Sequence, residues 1–454
     1  MPNTNKEYII SVLHIKRKTM TYDIIIGRDA SDKDKFGNRG LINIGKGYVK
    51  MGTYTSMSNN IWMDVARSHV VLVAGKRGSG KSYSLGVITE ELANLPPENA
   101  QNISSLIFDT MGIFWTMKFK NEKDKDMLKQ WNLETKPLSV NVFVPFGKSE
   151  EYRKKGIPFD HTFALEASEL EAEDWLALFN IDITSPLGVL IENSISHLKE
   201  NSNYFSINDI EKAIEMDSKS KEEIKNSGFA LFKAADNWGI FAKSGKGTEI
   251  TDLIKSGMST VLDVSVYSSI GAFNIRALVL SLITRKIFEK RMDSRKKEEL
   301  DALQHGQDYL SYRSSRDPLV WIFIDEAHEF LPREGKTAAT DALIQLLREG
   351  RQPGISVVLA TQQPGQIHKD VMSQSDIVIS HRVTSKADLE ALNEIMQSYV
   401  LRGIKQQMDD LPSLKGSAII LDDNSERIYP MRMRPRFTWH GGEAPTSVKA
   451  EIKI

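Results

Sequence analysis

The sequence contains no cysteine. Disulfides, thiolate zinc sites and thiol nucleophiles are therefore excluded, and the composition suits a reducing cytoplasm. An excess of one charge is missing too: 59 Lys and Arg against 60 Asp and Glu leave a net charge of −1. A strongly basic chain would announce a nucleic-acid partner by itself; this one needs local patches, or pooling across copies, to hold DNA. Long apolar runs are also lacking. The most hydrophobic stretches, near 70–74, 319–324 and 355–360, have the length of buried strands, well short of the ~20 residues of a membrane span. Residues 1–7 are polar and carry no signal-peptide pattern, so the expectation is a cytoplasmic protein without a membrane segment. No internal repeat recurs at a fixed period.

What is present is an ordinary globular balance over 454 residues, 41% hydrophobic and 26% charged, enough for a large α/β core with additions. Residues 1–66 alternate in the strand manner over 22–27, 40–45 and 48–52, and predict a small N-terminal β module resembling an incomplete barrel. Residues 67–160 and 241–438 predict the core, with continuous apolar strands as in a parallel sheet covered on both faces. Between them, 161–240 predicts a helical insertion, with helical spacing over 170–179, 187–198 and 207–214. A long amphipathic helix is expected over 275–291, an irregular surface loop over 291–317, and an extended tail over 439–454.

The chemistry begins at residues 75–82, which read G-K-R-G-S-G-K-S. This is a complete phosphate-binding loop, Gly75, Lys76, Arg77, Gly78, Ser79, Gly80, Lys81 and Ser82, placed between an apolar strand and a helix. Its glycines let successive backbone N–H groups turn inward around phosphates, and the following helix aims its positive end at them. Lys81 is expected to reach the β and γ phosphates of ATP, and Ser82 to offer its hydroxyl to Mg²⁺. The motif places the core among P-loop NTPases of the RecA-like α/β class.

An ATPase also needs an acid for the metal and a base for the attacking water. Residues 321–326, W-I-F-I-D-E, supply both at the end of a buried strand: Asp325 for Mg²⁺ and Glu326 for the water. The strand over 355–361 ends on Gln362, which suits a sensor of the γ-phosphate or a holder of the water. Arg348 and Arg351 lie just before that strand. Each suits a cation that neutralises transition-state charge, in cis or from a neighbour; the alternative is a solvated helix end complementing the helix dipole.

Other features carry weaker signals. Residues 113–120 mix aromatics and lysines and fit either a DNA-gripping loop or a buried helix start with a charged edge. Residues 366–369 fit the same pair of readings. Arg432, Arg434 and Arg436 alternate, as on an exposed face of an edge strand or at a contact with DNA or a neighbour's nucleotide. His328 stands beside the acidic pair without metal-ligand spacing and reads as a packing or hydrogen-bonding residue. A transporter-type L-S-G-G-Q signature, a dinucleotide fingerprint and a nucleophile elbow are all absent.

The run I-D-E-A-H-E-F-L-P from 324, followed by R-E-G-R-Q-P-G-I-S-V-V-L-A-T-Q-Q-P from 348, closely resembles the HerA ATPases of the FtsK–HerA superfamily. Ser373-Gln374-Ser375-Asp376, His381-Arg382-Val383 and His440-Gly441-Gly442 add to the resemblance. The resemblance implies a ring-shaped homohexamer with ATP at subunit interfaces, double-stranded DNA in the pore, and a partner nuclease of the NurA type. Bacterial relatives in anti-phage systems imply a nuclease or a sirtuin-like NADase as effector, and a scaffold regulating such an effector is the alternative to a motor. On this template Arg351 is the foremost candidate for a finger inserted into a neighbour's site, with Arg348 second. The chain departs from the family at 109–113, where D-T-M-G-I replaces an Asp-x-x-Gly-Glu pattern, and in its short barrel segment.

Overall fold

The computed structural model describes residues 23–51, 54–244, 246–268, 273–305, 317–396 and 404–442, with 447. Its frame is one 13-stranded sheet. In chain order the strands are β1 (Ile24–Ile26), β2 (Leu41–Met51), β3 (Tyr54–Asp64), β4 (Val70–Ala74), β5 (Ile103–Asp109), β6 (Val140–Pro145) and β7 (His161–Phe163). They continue as β8 (Ser259–Asp263), β9 (Leu319–Ile324), β10 (Ile355–Thr361), β11 (Ile377–His381), β12 (Ser417–Asp422) and β13 (Arg427–Met433). The spatial order is β1-β3-β2-β13-β12-β11-β4-β10-β9-β5-β8-β6-β7. From β11 to β7 every neighbouring pair is parallel, with β4 near the middle of the core.

The parallel block explains the continuous apolar runs. All five residues of β4 are buried, but they alternate between two cores. Val70, Leu72 and Ala74 face one layer, and Val71 and Val73 face the other. A period of two sends successive side chains to opposite faces, so a strand covered on both sides must be apolar throughout.

The helices that matter here are α1 (Lys81–Ala93), α2 (Ala172–Phe179), α3 (Pro186–Asn201), α4 (Ile207–Met216), α5 (Glu222–Asn237), α6 (Phe273–His305), α7 (Thr340–Glu349) and α8 (Lys369–Gln374). Helix α1 shares one core layer with Ile42, Ile44, Ile61 and Met63 of β2 and β3. The opposite layer takes α6, α7 and the inserted helices α2 to α5 through Trp175, Ile191, Ile210 and Phe232. Local sequence punctuates the insertion: Ser185 caps α3 by accepting from Gly188 N, with Pro186 in the first turn, and Ser206 and Asp209 form a capping box on α4.

Three expectations change. The N-terminal strands do not close on themselves among the described residues. Antiparallel pairing of β2 with β13 makes them an extension of the core sheet, because β13 presents a free ladder of backbone groups to them. The two segments expected over 40–45 and 48–52 form one strand, β2, whose glycines sit at register shifts. The stretch from 291 to 305 is helix, not loop: its Lys, Glu and Leu residues are good helix formers, and Arg295 pairs with Glu299 one turn on at 2.7 Å. Residues 306–316 and most of the tail expected over 439–454 lie outside the described residues.

Candidate nucleotide site

The phosphate loop leaves the carboxyl end of β4, where an open parallel sheet binds ligands. Neighbouring strand ends pin it on both sides: Gly75 N donates to Thr361 O at 3.2 Å, and Lys76 N donates to Arg382 O at 3.1 Å. Glycine is needed at two points. A Cβ on Gly75 would come within 2.7 Å of His381 Cβ, and Gly80, which opens α1, has φ of 116°. Ser79 Oγ is buried in the loop with no hydrogen-bond partner among the described residues, as suits a group meant for a ligand.

Lys81 begins α1 and is buried, with Nζ 3.5 Å from Lys76 O. Burial holds its pKa below the usual lysine value, while the carboxylates of Glu326 and Asp325 pull the other way. The next residue, Ser82, donates from Oγ to Asp325 Oδ2 at 2.6 Å. A hydroxyl and a carboxylate oxygen meeting at one point are a hard donor pair, the kind Mg²⁺ takes. Asp325 Oδ1 accepts from Glu326 N at 2.9 Å, so the acid cannot swing away.

Glu326 is in the left-handed region at φ 52°. For a residue other than glycine that is strain of the kind stored at functional sites. Its carboxylate lies near enough to Lys81 for the two charges to interact. Burial, then the charge of Asp325, pushes its pKa up to about 7, with Gln362 donating a hydrogen bond that lowers it. Glu326 Oε2 is buried with no hydrogen-bond partner among the described residues, and His328 Nδ1 stands 3.6 Å from it. His328 also lies 3.2 Å from Thr361 Oγ1, the packing and hydrogen-bonding place its sequence context indicates.

Two acids to which sequence reading gave no role lie in the same row. Asp109 ends β5 and Asp263 ends β8 directly opposite, and β5 lies beside β9 with Phe108 opposite Ile324. Asp263, Asp109 and Asp325 therefore stand on three adjacent strand ends. Burial and the proximity of Asp263 raise the Asp109 pKa, so one of these two carboxyls keeps a proton near neutrality. The amides of Met111, Gly112 and Phe114 all donate to Asp109. This local turn is what stands where the family pattern carries an extra acid. The place of Asp109 at a strand end is a sequence signal; its pairing with Asp263 is visible only in the sheet.

A cavity of about 200 Å³ opens beside the loop, bounded by Lys76, Ser79, Arg382, Leu411, Pro412 and Leu414. Its far wall comes from residues more than three hundred positions along the chain, which no local motif could place there.

Arg348 and Arg351 are not in this site. Arg351 Nη2 lies 3.2 Å from Asp376 Oδ2, and Asp376 Oδ1 accepts from Val70 N at 2.8 Å, at the start of β4. The loop leaves the other end of that strand, about 17 Å away at ~3.3 Å per residue. Arg348 is on the same edge, paired with Asp370 at 2.6 Å.

The alternating arginines also fall elsewhere. β13 is an interior strand, and Arg434 and Arg436 are each 1% exposed. Both pair with Glu90 of α1, Arg434 at 2.9 Å and Arg436 at 3.3 Å, so neither is a DNA contact or an exposed edge. Only Arg432 keeps an outward course, with Nε donating to Lys415 O. In the 113–120 segment Phe114 and Met117 are buried and Lys118 pairs with Asp160 at 2.7 Å, leaving Phe119 as the exposed apolar residue.

Similarity to known proteins agrees with this geometry. The family model described as Helicase HerA, central domain, matches residues 49–287, just over half of the chain, and that described as Zonular occludens toxin (Zot) matches 270–388. A DNA double-strand break repair helicase HerA of Pyrococcus furiosus is 26% identical over 226 residues, 46% of this chain and 38% of that protein. Its counterpart in Sulfurisphaera tokodaii is 22% identical over 379 residues, 82% of this chain and 64% of that one. The chain thus spans less than two thirds of the curated relatives it matches. VirB4 of Thermoanaerobacter pseudethanolicus superposes with a TM-score of 0.53 at 12% identity, covering 86% of this chain and 96% of that one, a likeness of fold. With a P-loop on the central strand, an acidic pair on the next strand but one, and a family match across half its length, the chain belongs to the HerA helicase central-domain family.

Proposed function

We propose that this protein hydrolyses ATP with Mg²⁺ and couples hydrolysis to movement along double-stranded DNA, as a ring of six copies. The observation that carries the hydrolytic part is the convergence of Ser82, Asp325 and Glu326 on one side of the phosphate loop, with Ser82 and Asp325 only 2.6 Å apart. Ser82 and Asp325 would hold the metal, which when bound would neutralise phosphate charge as a Lewis acid. The amides of residues 75–82 and Lys81 bind the phosphates, and the apolar wall at Leu411, Pro412 and Leu414 suits the flat face of the base. Glu326 holds the attacking water on its free Oε2 and takes the proton, and Gln362 steadies that carboxylate.

Support for the ring comes from the edge-to-edge placement of Arg351. The phosphate loop and Arg351 occupy opposite ends of β4, so Arg351 can reach a neighbour's nucleotide but not that of its own chain. Relatives named as DNA double-strand break repair helicases support DNA as the track; a partner nuclease or NADase effector is what the resemblance of residues 324–364 implies.

The test is turnover with and without duplex DNA. Duplex should raise the ATPase rate of the wild type, and Lys81→Ala should abolish both turnover and movement along DNA. A protein that hydrolyses ATP but never moves on duplex, alone or with its partner, would end the motor reading. A Glu326→Gln variant that still activates the effector would favour the scaffold.

A further inference from the structure

Arg351 is held in an unusual way for a half-exposed arginine. Its partner Asp376 is buried, with a side chain 8% exposed against 53% for Arg351. Both carboxylate oxygens of Asp376 are committed: Oδ1 accepts from Val70 N at 2.8 Å, while Oδ2 is shared by His69 Nδ1 at 2.7 Å and Arg351 Nη2 at 3.2 Å. His69 is itself fixed from its other nitrogen, Nε2 lying 3.2 Å from Asp64 Oδ2. Asp64 in turn accepts from Arg28 Nε at 2.7 Å and from Arg67 N at 3.1 Å. The result is an alternating row, Arg28, Asp64, His69, Asp376, Arg351, buried along most of its length and open only at Arg351. Burial alone would lower the His69 pKa, but its hydrogen bonds to Asp376 and Asp64 outweigh that and raise it to about 9. The row therefore carries full charges at neutral pH, and a long flexible side chain is held at one place on the rim.

We propose that Asp376 is a positioning residue that presents Arg351 to the nucleotide of the neighbouring subunit, with His69 and Asp64 fixing it from behind. This rests on the ring reading above. An arginine aimed in advance loses less side-chain entropy when it meets the transition state, and a displacement of about 1 Å at such a group can lower turnover a hundredfold. A merely structural Asp376 would act in its own subunit, through Val70 and the strand that leads to the phosphate loop. The two readings differ in which subunit's site is impaired.

Subunit mixing separates them. Asp376→Asn keeps an oxygen for Val70 N–H but removes the charge and the Oδ2 acceptor that His69 and Arg351 share. Rings of this variant alone should turn over about ten- to a hundredfold more slowly, with KM for ATP within about twofold of wild type. Mixed in equal amounts with Lys81→Ala, which keeps a correct Arg351, the dead population should regain turnover. About a quarter of the sites then combine an intact loop with an intact arginine across the interface. The pair Arg351→Ala and Lys81→Ala is the control. If the control regains activity and the Asp376→Asn pair does not, the positioning proposal is overturned and the ring reading stands. If neither pair regains activity, the trans-acting arginine is lost and the proposal falls with it. Should Asp376→Asn fail to fold, His69→Gln breaks the same row from behind and is mixed in the same way: regained turnover supports the proposal, and its absence beside an active control overturns it.

Discussion

Glu326 concentrates the chemistry of the site on one residue. Its backbone is strained, its carboxylate is partly desolvated, and one oxygen has no hydrogen-bond partner among the described residues. A base must be ionised to act, so turnover should rise with pH through about 7, the value to which burial and Asp325 bring it. Gln362 donates to that carboxylate and lowers its pKa; Gln362→Ala should therefore move the rise to higher pH as well as slow turnover. A pH–rate profile checks this, and an unmoved midpoint would show that Gln362 does not act on the base. Glu326→Gln should lower kcat by about a hundredfold or more while ATP binding persists. The same raised pKa has a sign for stability. The folded state holds this proton more tightly than the unfolded chain does, so ionisation weakens the fold as pH rises from the ordinary glutamate value toward 7. The melting temperature of Glu326→Gln should therefore exceed wild type by more at pH 8 than at pH 4.

At the scale of elements, helix α1 is held at both ends by different means. Its first turn carries the loop, and its second half carries Glu90, fully buried among arginines of the segment after β13. Glu90 also accepts from the backbone N–H groups of Phe437 and Thr438 at 3.1 and 3.0 Å. One carboxylate thus ties the phosphate-binding helix to a stretch of chain about 347 residues away. Removing one partner of a buried network leaves charges uncompensated, and Glu90→Ala should lower stability by about 3–5 kcal/mol, read as a fall in the urea midpoint. A midpoint within error of wild type would show that the arginines find solvent instead. The same packing explains why 432–436 misleads as sequence: three alternating arginines look solvated until the partner helix is known.

At the scale of the whole molecule, the chain carries half of each proposed catalytic site at either end of β4. Turnover per chain should therefore depend on protein concentration, falling on dilution as rings dissociate, while binding of a non-hydrolysable ATP analogue to the loop persists. Particle mass and turnover measured over the same dilution series check this together. Constant turnover down to single chains would sink the shared site. The near-neutral net charge puts a second constraint on this scale. In the proposed ring, duplex would be held by local cations repeated from copy to copy, so affinity should weaken steeply with salt.

The amino-acid sequence by itself determined what depends on short range. Residues 75–82 and 321–326 were legible because a strand, a tight glycine loop and a helix start are decided by neighbours a few positions apart, and their chemistry needs those residues in that order. Helices α2 to α4 were legible through their spacing. Only the tertiary structure decided which strand ends lie side by side, and hence that Asp109 and Asp263 stand opposite each other on the strands next to Asp325. It alone joined the N-terminal strands to the core sheet through β13, buried Arg434 and Arg436 on Glu90, and set Arg351 on Asp376 at the edge opposite the loop. Those arrangements depend on pairings between distant segments, where a backbone ladder or a buried charge takes whichever partner the fold brings within reach.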